Sequence, residues 1–452
     1  MSATPTSLPW LDRPLKELLR LTWPVTVSML SYSFMTLVDT IFVGRLGSEQ
    51  LAGVGLAGTV SFTLISFGFG LVRGGKTLVS QAVGAGRRNE AGGYLGAALL
   101  AALLFGLLAI GLQAPVGVLL ARHAASPGQA HHFVTYLLIR SFGGPSSMIY
   151  NALREVRYGE GDARSPMIAT IIANVLNGIL GYLFIFTFGW GVAGAAWATV
   201  AAQTIEALVL AAFQHRDGWG ISAMRRSHLV SLIRIGVPTG LQMLLEVGAF
   251  AVLAAMIASL SAAQMAAHQI ALQVISFSFL PAFAVGESAS VLVGQVVGAA
   301  RDDLVLPLTK LALRVVTAYT GLCTLVFAVF ATYIVDVFHA DADTRTIAIR
   351  LVRIATLFLV MDGANIVART TLRGTGDVRF PAVVGVVCSW LLTPPLAWLL
   401  GFHFGMGAFG GWLGMSGEVF LGALIQWFRL LRGGWREHAV RTRGEVLAAA
   451  DF

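Results

Sequence analysis

Residues 18–24, LLRLTWP, return as LIRIGVP at 232–238, an offset of 214. QAVGAGR at 81–87 meets QVVGAAR at 295–301 at the same offset. GEGDARSP at 159–166 meets GTGDVRFP at 374–381 at 215, and Trp197 meets Trp412 at 215. A register held from residue 18 to residue 197 marks a duplicated chain. Long apolar runs separate these anchors. Hydrophobic residues make up 56% of the 452 and charged residues 12%, with a mean hydropathy of +0.76. A soluble domain carries roughly 25% charge, so lipid is the expected solvent.

A bilayer core needs about 20 apolar residues per helix. Such segments begin near Leu21, Leu51, Gly93, Phe133, Met167 and Val192, then near Ile233, Gln269, Leu306, Ile349, Pro381 and Met406. The fold class expected is an all-α membrane protein of twelve transmembrane helices in two six-helix lobes related by pseudo-two-fold symmetry. The expected organisation is a cytoplasmic lead-in (1–20), a first lobe (21–214), a cytoplasmic linker (215–232), a second lobe (233–430) and a cytoplasmic tail (431–452). The N-terminus lacks the apolar core and small-residue cleavage site of a signal peptide. With the N-terminus inside, 23 of the 31 Lys and Arg residues fall on the inner side and five, such as Arg45 and Arg122, on the outer. The positive-inside rule then places both termini in the cytoplasm. The basic residues lie between apolar runs rather than in one patch, which speaks for an anionic leaflet and against nucleic acid. Cys323 and Cys388 sit in apolar segments and read as small fillers.

Halves with even span numbers share one orientation and are related by an axis along the membrane normal, with a binding region between them near the midplane. The alternative is that duplication only builds a stable bundle. Buried acids argue against that alternative, because a charge at the bilayer centre costs about 2.5–3.5 kcal/mol even on the lenient insertion scale. Glu246 stands in GLQMLLEVGAFAVL, with Gln242 one turn earlier on the same face. Asp362 stands in TLFLVMDGANIVART, sharing a face with Asn365 and Arg369. The functional reading is a protonatable or cation-binding pair; the other is a structural ion pair, Asp362 with Arg369 for instance. Asp39 ends the first span and is either part of a relay or a helix-end carboxylate in reach of water. The register sets Glu287 opposite Arg73, an expected ion pair between lobes. Glu206 and Glu418 show no partner and take no role. The register maps Glu246, Asp362 and Asp39 onto Tyr32, Ser147 and Leu253, so none of the three acids is duplicated. Gln242, Asn365, Asn177 and Tyr32 are the expected cavity lining. Pro394 and Pro395 should bend the eleventh span.

These residues resemble a known family, the multidrug and toxic compound extrusion (MATE) transporters, over roughly residues 15–430. The stretches that carry the resemblance are VDTIFVGRLGSEQLAGVGLA (38–57), GVAGAAWATV (191–200), QMAAHQIALQ (264–273), VGQVVGAAR (293–301) and LRGTGDVRFP (372–381). The resemblance implies an inner-membrane antiporter that exports cationic or amphipathic compounds against inward protons or sodium ions, with no other cofactor. It implies two six-helix lobes around a central cavity. Glu246 and Asp362 match the coupling acids of the NorM-like branch, where sodium could also bind, and Asp39 matches the family's first-helix aspartate. The DinF-like branch has an aspartate four residues after an asparagine; here Asn177 is followed by Gly181, so the chain departs from that pattern. Phe358, one turn before Asp362, offers no side-chain oxygen to sodium.

The expected partners are small cationic or amphipathic molecules and the lipid bilayer, with the protein a monomer that binds no nucleic acid. The runner-up is a flippase for a lipid-linked or polysaccharide substrate, kept alive by Arg73, Lys76 and Arg140. A membrane-embedded enzyme lacks support: the sequence holds no HExxH, P-loop or Cys/His metal spacing.

Overall fold

The computed structural model describes residues 8–122 and 126–448. Among them are fourteen α-helices and no strand. Backbone groups in lipid must be satisfied within the segment, and eleven of these helices are long and apolar enough to cross a membrane. The first repeat comprises α1 (Pro14–Gly44), α2 (Ser48–Gly84), α3 (Asn89–Ala121), α4 (Pro127–Ser141), α5 (Gly144–Glu160), α6 (Arg164–Tyr182) and α7 (Gly191–Asp217). The second comprises α8 (Arg226–Leu260), α9 (Ala262–Gly298), α10 (Val305–Asp336), α11 (Ala342–Gly374), α12 (Arg379–Leu396) and α13 (Ala408–Leu431), followed by α14 (Arg436–Ala448).

The span expected from near Phe133 is broken, falling on α4 and α5, whereas its repeat partner α11 is continuous. The break lies at Phe142 and Gly143, ahead of Pro145 in the first turn of α5. A proline there has no N–H to donate and suits a helix start.

Both repeats widen at matching places. α6 runs into a π-helical segment, Leu183–Thr187, and α12 into another, Ala397–His403. The Phe188 N–H reaches the Leu183 carbonyl at 2.8 Å, and the Phe404 N–H reaches Leu399 at 3.0 Å. Each segment ends in a glycine pair with positive φ: Gly189 and Gly191 at 71° and 55°, Gly405 and Gly407 at 68° and 62°. Only glycine adopts such angles without steric cost. Pro394 and Pro395 precede the second widening, but Ile179 and Leu180 stand at the matching positions of the first. What the two widenings share is therefore the glycine pair and not the prolines.

Contacts divide the described chain into two compact units. One holds residues 24–83, 87–244 and 446–448; the other holds 8–23, 84–86 and 245–445. The first has an apolar core built around Val43, Ala57, Phe133, Leu137 and Ile185. The core of the second includes Leu253, Ala271, Leu351, Phe358 and Trp412. Outside the cores, Leu104, Leu107 and Leu108 of α3, and Leu322, Leu325 and Val329 of α10, are exposed, which suits a lipid-facing surface.

Within the first unit α2 meets the start of α8 through glycines. A β-carbon on Gly74 would stand 3.1 Å from the Gly236 nitrogen, and one on Gly236 would overlap the Leu71 carbonyl oxygen. Backbone is the obstacle on both sides, so no rotamer change relieves it. Gly236→Leu should cost more than the roughly 1–3 kcal/mol of ordinary overpacking and abolish the monodisperse peak in size-exclusion chromatography. Gly321→Ala, where an added β-carbon meets nothing within 4 Å, should elute like the parent; equal profiles for the two variants would refute the crossing.

Candidate functional site

Glu246 lies on α8 and Arg369 on α11. The Arg369 Nη1 donates to both Glu246 oxygens at 3.2 Å. This corrects the pairing of Arg369 with Asp362: the guanidinium turns from its own helix to α8. Asp362 lies in the field of Arg369 without hydrogen-bonding to it. Arg369 Nε is buried with no hydrogen-bond partner, so the guanidinium is incompletely satisfied. Glu418 of α13 lies in the field of Glu246, Arg369 and Asp362. It does have a partner, contrary to the sequence reading: the Thr393 hydroxyl of α12 donates to it. Three carboxylates and the Arg369 guanidinium thus cluster among α8, α11 and α13, each partly buried.

The surrounding helices are pinned close to these groups. The Trp390 indole of α12 donates to the Leu245 carbonyl at 3.0 Å, next to Glu246. Gln426 Nε2 donates to Asn365 Oδ1 at 3.0 Å and the Trp427 indole to the Ala364 carbonyl at 3.0 Å, fixing α13 against α11. Asn365 is therefore engaged with another side chain one turn from Asp362. Gln242 is 1% exposed, so it is packed rather than open. Phe358 packs at 6.2 Å from Trp412 in the core.

In the other unit Asp39 on α1 is partly buried beside α6. A β-carbon on Gly181 would stand 4.0 Å from Asp39 Oδ1. One turn before Gly181, Asn177 is 0% exposed and neither atom of its amide has a hydrogen-bond partner. A buried amide left unsatisfied costs about 1–3 kcal/mol, and such groups call for an explanation. Asn174, a turn earlier, donates to Ser31 Oγ at 2.8 Å. A groove of 280 Å³ lies here, lined by Ser31, Phe34, Met35, Val38, Asn174 and Gly178 among others. Tyr32 is 53% exposed. Both Asp39 and Tyr32 feel the Arg140 guanidinium of α4, which donates to Gln203 of α7 at 2.6 Å. Arg73 is partly buried on α2 and Glu287 is buried on α9. No group of three or more His, Cys, Asp or Glu side chains suited to a metal occurs among the described residues.

The sequence reading gave Glu206 no partner, whereas the Thr170 hydroxyl donates to it at 2.8 Å, and it passed over Trp390. The available signal for Glu206 was an acid within an apolar span; its partner lies 36 residues away on another helix.

A duplicated array of membrane-spanning helices, with polar and ionisable side chains held inside each unit, defines a polytopic membrane transporter. The MatE family model matches residues 24–183 and 238–399, one copy in each repeat. The chain belongs to the MatE family of transporters. It is 31% identical over 437 residues to a probable multidrug resistance protein NorM of Pseudomonas syringae pv. tomato, covering 90% of this chain and 92% of that one. A protein of the same description from Bradyrhizobium diazoefficiens is 30% identical, covering 92% and 93%. The fold matches a MOP superfamily transporter from Pyrococcus furiosus with a TM-score of 0.87 at 22% identity, covering 94% of this chain and 97% of that one. It matches a eukaryotic MATE transporter at 0.86 and 18%, covering 96% and 99%. Identities this low speak for the fold alone.

Proposed function

We propose that the protein is a secondary antiporter of the inner membrane, exporting cationic or amphipathic small molecules in exchange for protons or sodium ions, with Glu246 and Asp362 as coupling acids. One observation carries this reading: Glu246, Asp362 and Glu418, from α8, α11 and α13, gather around the Arg369 guanidinium, three carboxylates to that one arginine. Fully ionised, that set is negative by two charges at a depth where each unmatched charge costs kilocalories. Protons, sodium or a cationic substrate can each neutralise it, and binding one then opposes binding another. Asp39, with Asn177 and Tyr32 nearby on α6 and α1, is the corresponding candidate in the first unit.

The flippase alternative rests on Arg73, Lys76 and Arg140 as a cationic groove. Lys76 is 3% exposed and 3.8 Å from Glu155, and Arg140 is held by Gln203. Lys76 and Arg140 are thus engaged inside their unit, which favours the antiporter.

Efflux of a cationic dye from everted vesicles tests the reading, with a proton gradient and a sodium gradient imposed separately. One of the two should drive efflux; efflux under neither would overturn it. The charge bias of the loops supports a cytoplasmic location for both termini. A reporter active only outside the cytoplasm, fused after Phe452, should stay dark, and a bright fusion would reverse the topology.

A further inference from the structure

Glu206 lies on α7 in the first unit, where the coupling scheme above makes no use of it. Thr170 Oγ1 on α6 donates to Glu206 Oε1 at 2.8 Å. That uses the only hydrogen of the threonine hydroxyl, so the 2.6 Å contact between Thr170 and the Tyr150 hydroxyl of α5 must be donated by the tyrosine. Tyr150 also lies within hydrogen-bonding reach of Glu206 itself, so two hydroxyls serve one carboxylate. Both are buried, Tyr150 at 4% and Thr170 at 5% exposure.

The charged groups around this carboxylate are otherwise engaged. Arg154, one turn along α5 from Tyr150, lies 5.7 Å from the Tyr150 ring centroid and donates to Glu155 at 2.9 Å. Lys76 of α2 approaches the same Glu155 at 3.8 Å. From α4, Arg140 binds Gln203, three residues before Glu206. From α1, Tyr32 lies in the field of Glu206. Among the described residues no cation stands within ion-pair distance of Glu206, so Arg154 acts on it only through space.

We propose that Glu206 is a further cation-accepting carboxylate of this transporter, taking up a proton inside the first repeat, with Thr170 and Tyr150 as its positioning residues. The contrast with Glu246 carries the argument. An arginine partner can only donate, so it favours the ionised carboxylate alone. A hydroxyl donates or accepts by rotating, so it serves both states. When the carboxylate takes one proton it becomes a neutral acid whose O–H donates to Thr170 Oγ1. The Thr170 hydrogen then turns to the Tyr150 oxygen, and the tyrosine hydrogen to the carboxyl oxygen that stays unprotonated. No other bond forms or breaks. This deepens the antiporter reading and rests on it for the role in transport, but not for the protonation itself.

Infrared difference spectra of the purified full chain, acid minus alkaline, test the two separately. One protonated-carboxyl C=O band should vanish in Glu206→Gln and persist in Glu246→Gln. It should move in frequency, without loss, in Tyr150→Phe and Thr170→Val, which a merely structural acid would not show. Proton-driven ethidium efflux from everted vesicles should also slow several-fold in Glu206→Gln. A Glu206→Gln spectrum identical to the parent's overturns the proposal. If that variant does not fold, an unmoved band in Tyr150→Phe does the same. Vesicles in which even the parent fails to transport would sink the antiporter reading while the spectra still decide whether Glu206 titrates.

Discussion

Glu246→Gln and Asp362→Asn should each collapse gradient-driven export of a cationic dye while membrane-inserted protein stays near the parent's level. Both substitutions keep side-chain shape and remove one negative charge. Losing the Glu246 charge removes the direct partner of Arg369, yet Asp362 and Glu418 remain in its field, so the guanidinium is not left without a countercharge. The structural penalty is thereby held well below the roughly 3–5 kcal/mol of stranding a buried charge. The transport penalty is not buffered in this way. A ligand shifts a two-state transporter only by its differential affinity for the two states, and moving a population from 1:99 to 99:1 takes about 5.5 kcal/mol. Losing only 1.4 kcal/mol of that slows a thermodynamically coupled step about tenfold, so a drop of at least that size is expected. Glu418→Gln, whose carboxylate is held by Thr393, should reduce export less. Parent-level efflux in both Glu246→Gln and Asp362→Asn would show that the coupling site lies elsewhere.

The duplication, the span starts and the lack of symmetry among the acids were legible because each is a property of the chain taken in order. The helices begin up to seven residues from the expected points, as at Pro14 against Leu21 and Ala342 against Ile349, and FGGPSS at 142–147 divides one span into α4 and α5. The Gly-Gly-Pro there was the readable signal. Side-chain partners across helices were not legible. Periodicity puts Arg369 on the Asp362 face of α11, but a long side chain can leave its own helix, and α8 offers Glu246 at hydrogen-bond distance. Glu206 and Glu418 had no visible partners because Thr170 and Thr393 come from neighbouring helices whose rotation one sequence does not specify. The matched π-helical segments were hidden for another reason. The prolines drew attention to the second alone, while the glycine pairs at 189 and 191 and at 405 and 407 are what the two share.

The same repeat position can also carry unequal weight, and Asp162 and Asp377 make this measurable. Both sit in the GxGD motif that revealed the duplication. Asp162 Oδ1 accepts the backbone N–H groups of Arg164 and Ser165 at 3.0 and 3.1 Å, capping the start of α6. Its side chain is 29% exposed, and Arg157 approaches at 3.3 Å. Asparagine caps helices about as well as aspartate, so Asp162→Asn should cost about 1 kcal/mol or less. Asp377 is 0% exposed, with Oδ2 accepting from Arg429 Nε at 2.8 Å and Oδ1 lacking any hydrogen bond. Arg429 is further fixed over the Phe380 ring at 4.5 Å. Removing one member of a buried pair costs about 3–5 kcal/mol. Arg429 keeps 25% of its side chain exposed and can recover some hydration, so Asp377→Asn belongs near the lower end, at about 3 kcal/mol. In detergent, thermal unfolding followed by size exclusion should show a clear drop for Asp377→Asn and little change for Asp162→Asn. Equal drops would mean that the repeat motif, rather than the burial of each carboxylate, sets its contribution.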